Sequence, residues 1–353
     1  MIRVLVVEDS PVVREFLVHI LGSDHEIQVV GTATDGEEAV QAARSKTPDV
    51  ITMDIHMPRM DGCEATRKIM ETTPTPIVVV SGSSDTGEVA TTFHALEAGA
   101  LAAVPRPNGI GHPDHDATVK ELIQTVKLMS EVRVVRRWGR RQGELLKSPV
   151  REALIERTQA SIEAVAIGAS TGGPIVLQKI LSGLPKDFPV PVLIVQHIAP
   201  GFIHGFVEWL SHSSGLLIQL PKHGEPILPG RAYLAPDGFH MEVRSGGLIA
   251  LSPEGPENGL RPSVSYLFRS VATVYGRHAI GVLLTGMGKD GAEELKLMKE
   301  IGAVTIVQDL ASCVVQGMPA EALRLDAATY VLPFEKIAAA LAGLANTNKK
   351  AQS

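Results

Sequence analysis

Val165-Ala166-Ile167-Gly168-Ala169-Ser170-Thr171-Gly172-Gly173-Pro174 is an apolar run that reaches a glycine, passes a serine and closes on two more glycines and a proline. The run is short enough for a buried strand, and helical spacing of apolar positions resumes after Pro174. The stretch reads as a serine held on a tight strand-to-helix turn. Glycines permit the backbone conformations and close approaches such a turn needs, and Pro174 suits a first helical position, where its missing N–H is not required. The helix start offers N–H groups to an anion or an oxyanion. Gly168-x-Ser170-x-Gly172 also matches the nucleophile-elbow pattern, although a glycine-rich turn of this kind equally suits phosphate binding or plain packing.

Working outward, the chain on both sides of this turn alternates short β-branched runs with amphipathic stretches. After it, strands are expected at Ala164 to Ile167, Val192 to Gln196, Leu216 to Leu220, Ala279 to Thr285, Val304 to Gln308 and Thr329 to Leu332. Helices are expected at Ile175 to Ser182, Gly201 to Ser211, Ser263 to Tyr275, Gly291 to Ile301, Pro319 to Leu325 and Ile337 to Ala342. Between Pro226 and Leu251, short alternating runs and Asp237-Gly238 and Gly246-Gly247 turns predict a β-hairpin insertion. Before it, five βα units (strands near residues 3–7, 28–33, 50–54, 77–81 and 100–104) predict a flavodoxin-like doubly wound parallel sheet. The fold class is thus α/β, with two doubly wound domains. Residues 1–127 form the first domain, 128–160 a basic linker, 161–347 a mainly parallel second domain and 348–353 a disordered tail.

Bulk properties bound the function. The 353 residues are long for one core, and the net charge of -6 argues against a nucleic-acid binder. Two distant cysteines, Cys63 and Cys313, suggest no disulfide framework and fit a cytoplasmic location. No run of apolar residues is long enough for membrane insertion, and no signal peptide is visible. The linker carries Arg133, Arg136, Arg137, Arg140 and Arg141 around Trp138, which reads as a solvated hinge, a docking strip for an acidic or aromatic peptide, or a local nucleic-acid patch.

In a doubly wound sheet, ligands gather at the carboxyl ends of the strands. Glu8 and Asp9 end the first strand and Asp54 the third. Either alone could be a helix cap or a loop carboxylate, but three facing carboxylates repel unless a cation sits among them, and an all-oxygen set suits Mg²⁺. In the second domain the same reasoning selects His197, which directly follows a strand, as a base for Ser170. Asp290, in Thr285-Gly286-Met287-Gly288-Lys289-Asp290-Gly291, is an orienting acid or the cap of the next helix. Backbone N–H groups near Met287 are free to face an oxyanion. Cys313 is the rival nucleophile, with no histidine beside it in sequence.

Val7-Glu8-Asp9-Ser10-Pro11, Met53-Asp54-Ile55-His56-Met57-Pro58-Arg59-Met60-Asp61-Gly62 and Val80-Ser81-Gly82 resemble a two-component receiver domain. The resemblance implies that Asp54 accepts phosphate from a histidine kinase, with Mg²⁺ held by Glu8, Asp9 and Asp54 and Ser81 contacting the phosphoryl group. Receivers usually carry a lysine where this chain has Arg106 and an aromatic residue where it has Ala103. Arginine keeps the charge but not the compact ammonium, so phosphorylation is expected to survive and the switching response to differ.

The turn at Ser170, Val195-Gln196-His197-Ile198, Leu284-Thr285-Gly286-Met287-Gly288 with Asp290, and Ser312-Cys313 with Gly317-Met318-Pro319 resemble the chemotaxis protein-glutamate methylesterases, the CheB family. That resemblance implies hydrolysis of glutamyl methyl esters on the cytoplasmic helices of chemoreceptors, with glutamine deamidation. It makes Ser170 the nucleophile, His197 the base, Asp290 the orienting acid, Met287 the oxyanion donor and Thr171 a flanking residue, with no cofactor for the esterase. The alternatives are a serine hydrolase acting on another protein system and a response regulator whose second half only binds. No short basic DNA-reading helix is visible after residue 160.

Overall fold

The computed structural model describes residues 1–82, 86–132, 134 and 161–345, in two compact units, Met1–Lys147 and Ser148–Ser353. Most of the basic stretch, Trp138 included, and the 348–353 tail lie outside the described residues.

The first unit contains β1 (Ile2–Val7), α1 (Pro11–Gly22), β2 (Ile27–Ala33), α2 (Gly36–Lys46), β3 (Val50–Met53), α3 (Gly62–Thr72), β4 (Ile77–Ser81), α4 (Thr86–Ala98), β5 (Ala102–Pro105) and α5 (His115–Ser130). The sheet runs β2-β1-β3-β4-β5, with every neighbouring pair parallel. Parallel neighbours require a crossover, which the intervening helices supply. The inner strands β3 and β4 are buried throughout, as a sheet covered on both faces demands, whereas the edge strand β2 is mostly part-exposed. Asp35 and Asp61 cap α2 and α3 by accepting from the N–H groups of Glu38 (2.9 Å) and Glu64 (2.8 Å). The strand order reverses between β1 and β3, so the ends that carry Glu8 and Asp54 lie side by side.

The second unit contains β6 (Ala164–Ala169), α6 (Gly173–Gly183), β7 (Val192–Gln196), α7 (Ile203–Ser213), β8 (Leu217–Gln219), β9 (Arg231–Leu234), β10 (His240–Arg244), β11 (Leu248–Ser252), α8 (Val264–Tyr275), β12 (Ala279–Leu283), α9 (Ala292–Glu300), β13 (Val304–Gln308), α10 (Gly317–Arg324), β14 (Tyr330–Leu332) and α11 (Phe334–Ala345). Its main sheet is parallel throughout, in the order β14-β13-β12-β6-β7-β9-β8. β6, β7, β12 and β13 are wholly buried. The chain builds outward from β6 through β7 and then crosses to β12 on the other side, so β12, β6 and β7 are consecutive strands.

The hairpin expected between Pro226 and Leu251 is present as the antiparallel pair β10 and β11, and the same stretch also holds a strand that the sequence reading did not separate from it. Arg231–Leu234 is a parallel strand of the main sheet, paired with β7 and β8. Its Ala232, Tyr233 and Leu234 are buried together, the continuous burial of an inner strand rather than the alternation of a hairpin. The last helix also starts earlier and ends later than Ile337 to Ala342.

Candidate active site

Ser170, His197 and Asp290 stand in the loops after β6, β7 and β12, three adjacent strands. Backbone bonds fix the first two turns to the sheet. The Ser170 N–H donates to Thr285 O (3.0 Å) and the His197 N–H to Ala169 O (2.9 Å). The Gln196 amide spans both turns, with Nε2 donating to Ser170 O (2.8 Å) and His197 O (2.7 Å). Pro174 lies in the first turn of α6, and Gly172 before it has φ +79°.

His197 Nε2 meets Asp290 Oδ2 at 3.0 Å. Asp290 is 3% exposed and accepts three further bonds: from Ser263 Oγ (2.8 Å), the Val264 N–H (2.6 Å) and the Ser265 N–H (3.1 Å). These N–H groups belong to the first turn of α8, so the carboxylate sits at the positive end of that helix. Burial by itself would raise its pKa. The bonds from His197, Val264 and Ser265 and the His197 charge outweigh that and hold it at about 2. Asp290 does not cap its own helix: α9 begins at Ala292 behind Gly291 at φ +82°. α8 can approach this closely because Val264 packs where side chains would otherwise stand. A Cβ on Gly168 would lie 2.3 Å, and one on Gly291 2.4 Å, from Val264 Cγ1.

With Nε2 turned to the acid, Nδ1 is the ring nitrogen left for Ser170. Among the described residues no hydrogen bond yet joins it to Ser170 Oγ, and such contacts commonly close only when substrate is bound. On the other side of the serine lies Gly286, whose Cβ, if it had one, would be 2.6 Å from Ser170 Cβ. The next residue, Met287, has a half-exposed side chain, and its N–H has no acceptor among the described residues. Thr285, fully buried, pins this loop: Oγ1 donates toward Thr171 O and Val315 O and accepts from the Val315 N–H, each at 3.0 Å. Cys313 Sγ donates to Asp309 O, and burial, with Asp309 nearby, pushes its thiol up to about 12, which leaves it protonated and unreactive.

In the first unit, oxygen atoms of Glu8, Asp9 and Asp54 lie within 4.8 Å of one another. Burial first, and then Asp54, push Glu8 up to about 7, and burial also raises Asp54. Ser81 ends β4 and is buried, and its carbonyl accepts the Arg106 N–H (2.7 Å). The Arg106 guanidinium reaches Glu8, with Nη2 3.2 Å from Oε2, rather than Asp54. Three crowded carboxylates, one of them held in its neutral range, fit the demand for a divalent cation.

Residues 165–341 match the family model described as CheB methylesterase, and residues 4–112 match the response regulator receiver domain. A relative from Nitrosospira multiformis, named protein-glutamate methylesterase/protein-glutamine glutaminase, is 61% identical over 98% of this chain and 97% of its own length. The chain belongs to the CheB methylesterase family. A Geobacter metallireducens relative of the same name, numbered 4, is 57% identical over 98% of this chain and 99% of its own. Among solved structures, the catalytic domain of Thermotoga maritima CheB methylesterase is 38% identical, covers 52% of this chain and 100% of its own, and superposes with a TM-score of 0.51.

Within this CheB methylesterase fold, Ser170, His197 and Asp290 stand on neighbouring strand ends, as their positions in the sequence implied. Sequence reasoning missed Gln196, Thr285, Ser263 and Ser265. A glutamine or threonine at or just after the end of an apolar strand is the pattern that could have marked the first two, and Gln308, which ends β13, repeats it and accepts the Thr285 N–H at 2.8 Å.

Proposed function

We propose that this chain hydrolyses glutamyl methyl esters on chemoreceptors, and deamidates glutamines, with Ser170 as nucleophile, His197 as base and Asp290 as orienting acid, under control of phosphorylation at Asp54. The observation that carries the reading is the pair of part-buried His197 and buried Asp290 beside the Ser170 turn. His197 Nδ1 takes the proton as Ser170 Oγ attacks the ester carbonyl, and Asp290 stabilises the imidazolium. The Met287 N–H holds the oxyanion, with Thr171 flanking the nucleophile. Methanol, or ammonia from a glutamine, leaves with the proton from His197. Water activated by the same nitrogen then frees the new glutamate.

In the receiver, Glu8, Asp9 and Asp54 would hold Mg²⁺, which screens the charge between the Asp54 carboxylate and an incoming phosphoryl group. Asp54 takes the phosphoryl group from a histidine kinase. Ser81 and Arg106, at the neighbouring strand ends, bind the phosphate oxygens in this reading. The substrate helices and the kinase place the reaction in the cytoplasm, and no helix among the described residues is long and apolar enough to cross a membrane.

The test is release of labelled methanol from methylated receptor membranes of the host. Ser170→Ala should abolish it, and a small phosphodonor should accelerate it in the wild-type chain but not in Asp54→Asn. Full activity in Ser170→Ala would overturn the nucleophile assignment. Methanol release from other methylated proteins but not from receptors would favour the broader serine-hydrolase reading.

A further inference from the structure

Asp290 depends on the first turn of α8, and that turn depends on a residue outside the reacting set. Ser263, which precedes α8, makes no side-chain cap to its own helix and gives its hydroxyl to Asp290. Its backbone N–H donates instead to His240 Nδ1 (3.2 Å). His240 begins β10, is 0% exposed, and uses its second nitrogen as well, with Nε2 3.1 Å from Gly255 O. Because a backbone N–H can only donate, Nδ1 must be the acceptor, so the ring proton is on Nε2 and donates to the Gly255 carbonyl. The ring is also stacked on Tyr266 of α8, at 4.3 Å between centroids and 12° between planes. A second tie joins the elements lower down, where the Val243 N–H donates to Ser270 Oγ (3.0 Å).

These contacts form one line: Gly255 O, His240, Ser263, Asp290, His197. The hairpin β10–β11 packs on α8, and Met241, Val243 and Ile249 share one core with Val264, Leu267 and Phe268.

We infer that His240 is a positioning residue for the esterase reaction: as a neutral acceptor for the Ser263 N–H it sets the α8 turn that holds Asp290, and through it the Nδ1 of His197 that faces Ser170. The inference rests on the reading of Asp290 as the orienting acid. A small rotation of that turn would leave all residues present and the substrate surface intact, yet misalign the base. The loss should therefore fall on kcat and not on KM, since ångström-scale misplacement costs about 10–100-fold in rate.

Asparagine can place its amide oxygen where Nδ1 stands, whereas phenylalanine keeps the stacked ring and has no acceptor. In the full chain, His240→Phe is expected to lower kcat for methanol release about 10–100-fold with KM within about twofold, and to slow fluorophosphonate labelling of Ser170 by the same factor. His240→Asn should recover most of both. Wild-type rates in His240→Phe, or equal losses in Phe and Asn, would overturn the inference. If the His240 variants do not fold, Tyr266→Leu removes the stacked ring from a half-buried site and should lower kcat and labelling together, while unchanged rates there would overturn it. Ser170→Ala and Asp290→Asn run alongside. If these keep their rates, the reading of the reacting residues has failed; if they lose them while His240→Phe does not, only the role of His240 has.

Discussion

His197 presents Nε2, not Nδ1, to Asp290, at 3.0 Å. Serine proteases of the trypsin type use the ring in the opposite sense. In the proposed reaction Asp290 accepts the Nε2 proton, which leaves Nδ1 bare to receive the Ser170 proton. Asp290→Asn would offer an amide N–H to Nε2 and move the ring proton to Nδ1, where it blocks the base. The expected result is a fall in kcat of about 10³–10⁴-fold with KM little changed, read from initial rates of methanol release. A loss confined to KM would mean that Asp290 binds substrate and does not orient the base.

The same carboxylate makes stability pH-dependent. Asp290 is held at about 2, against an ordinary 3.8, by the bonds that outweigh its burial. Between those values the unfolded chain binds more protons than the folded one, so stability rises with pH there. The contribution is present above about pH 4 and is lost as pH falls through 2; the whole shift corresponds to about 2 kcal/mol. With Trp138→Phe as background, Trp209 in α7 alone reports urea unfolding of this unit. The stability difference between that protein and its Asp290→Asn derivative should shrink by about 1 kcal/mol between pH 5 and pH 3. A constant difference would mean that the carboxylate is not held in its charged form.

Ser170, His197 and Asp290 were legible in the sequence because a strand end is a topological address: once β6, β7 and β12 are placed in one sheet, the residues after them share an edge. Glu8, Asp9 and Asp54 were legible for the same reason. The supports were not. Ser263 meets Asp290 across 27 positions and Thr285 meets Val315 across 30, and nothing in the local periodicity of either partner marks the pairing. β9 was not told apart from the neighbouring hairpin because Arg231–Leu234 is only four residues long and lies between turns, where a buried parallel strand and half of a hairpin look alike.

Gln196 ties the Ser170 turn to the His197 turn. Its Nε2 serves Ser170 O and His197 O together, and among the described residues only the first has another donor, the Gly173 N–H at 2.8 Å. Gln196→Leu keeps the bulk and removes both bonds. It should destabilise the chain by about 1–3 kcal/mol, because the part-buried His197 carbonyl loses its donor. It should also lower kcat about tenfold or more, since the two turns lose their common tether. Thermal melts and methanol release separate the two effects. Lost stability with unchanged kcat would make Gln196 a packing residue only.

In the proposed Mg²⁺ site, Glu8 should make the receiver's metal affinity pH-dependent. Its pKa, raised from 4.5 to about 7 by burial and then by Asp54, means that without metal the folded chain binds a proton that the unfolded chain has released. Without metal, stability should therefore fall as pH rises from about 4.5 to about 7, the opposite sign to Asp290. Mg²⁺ needs the ionised carboxylate and must displace that proton. Titration calorimetry in buffers of different ionisation enthalpy should show release of about 0.8 proton per Mg²⁺ at pH 6.5 and about 0.1 at pH 8, with affinity rising about tenfold from pH 6 to pH 8. Glu8→Gln should bind more weakly and lose the proton release. Equal affinity across that range in the wild-type chain would mean that Glu8 is already ionised before the metal arrives, held so by Arg106 at 3.2 Å.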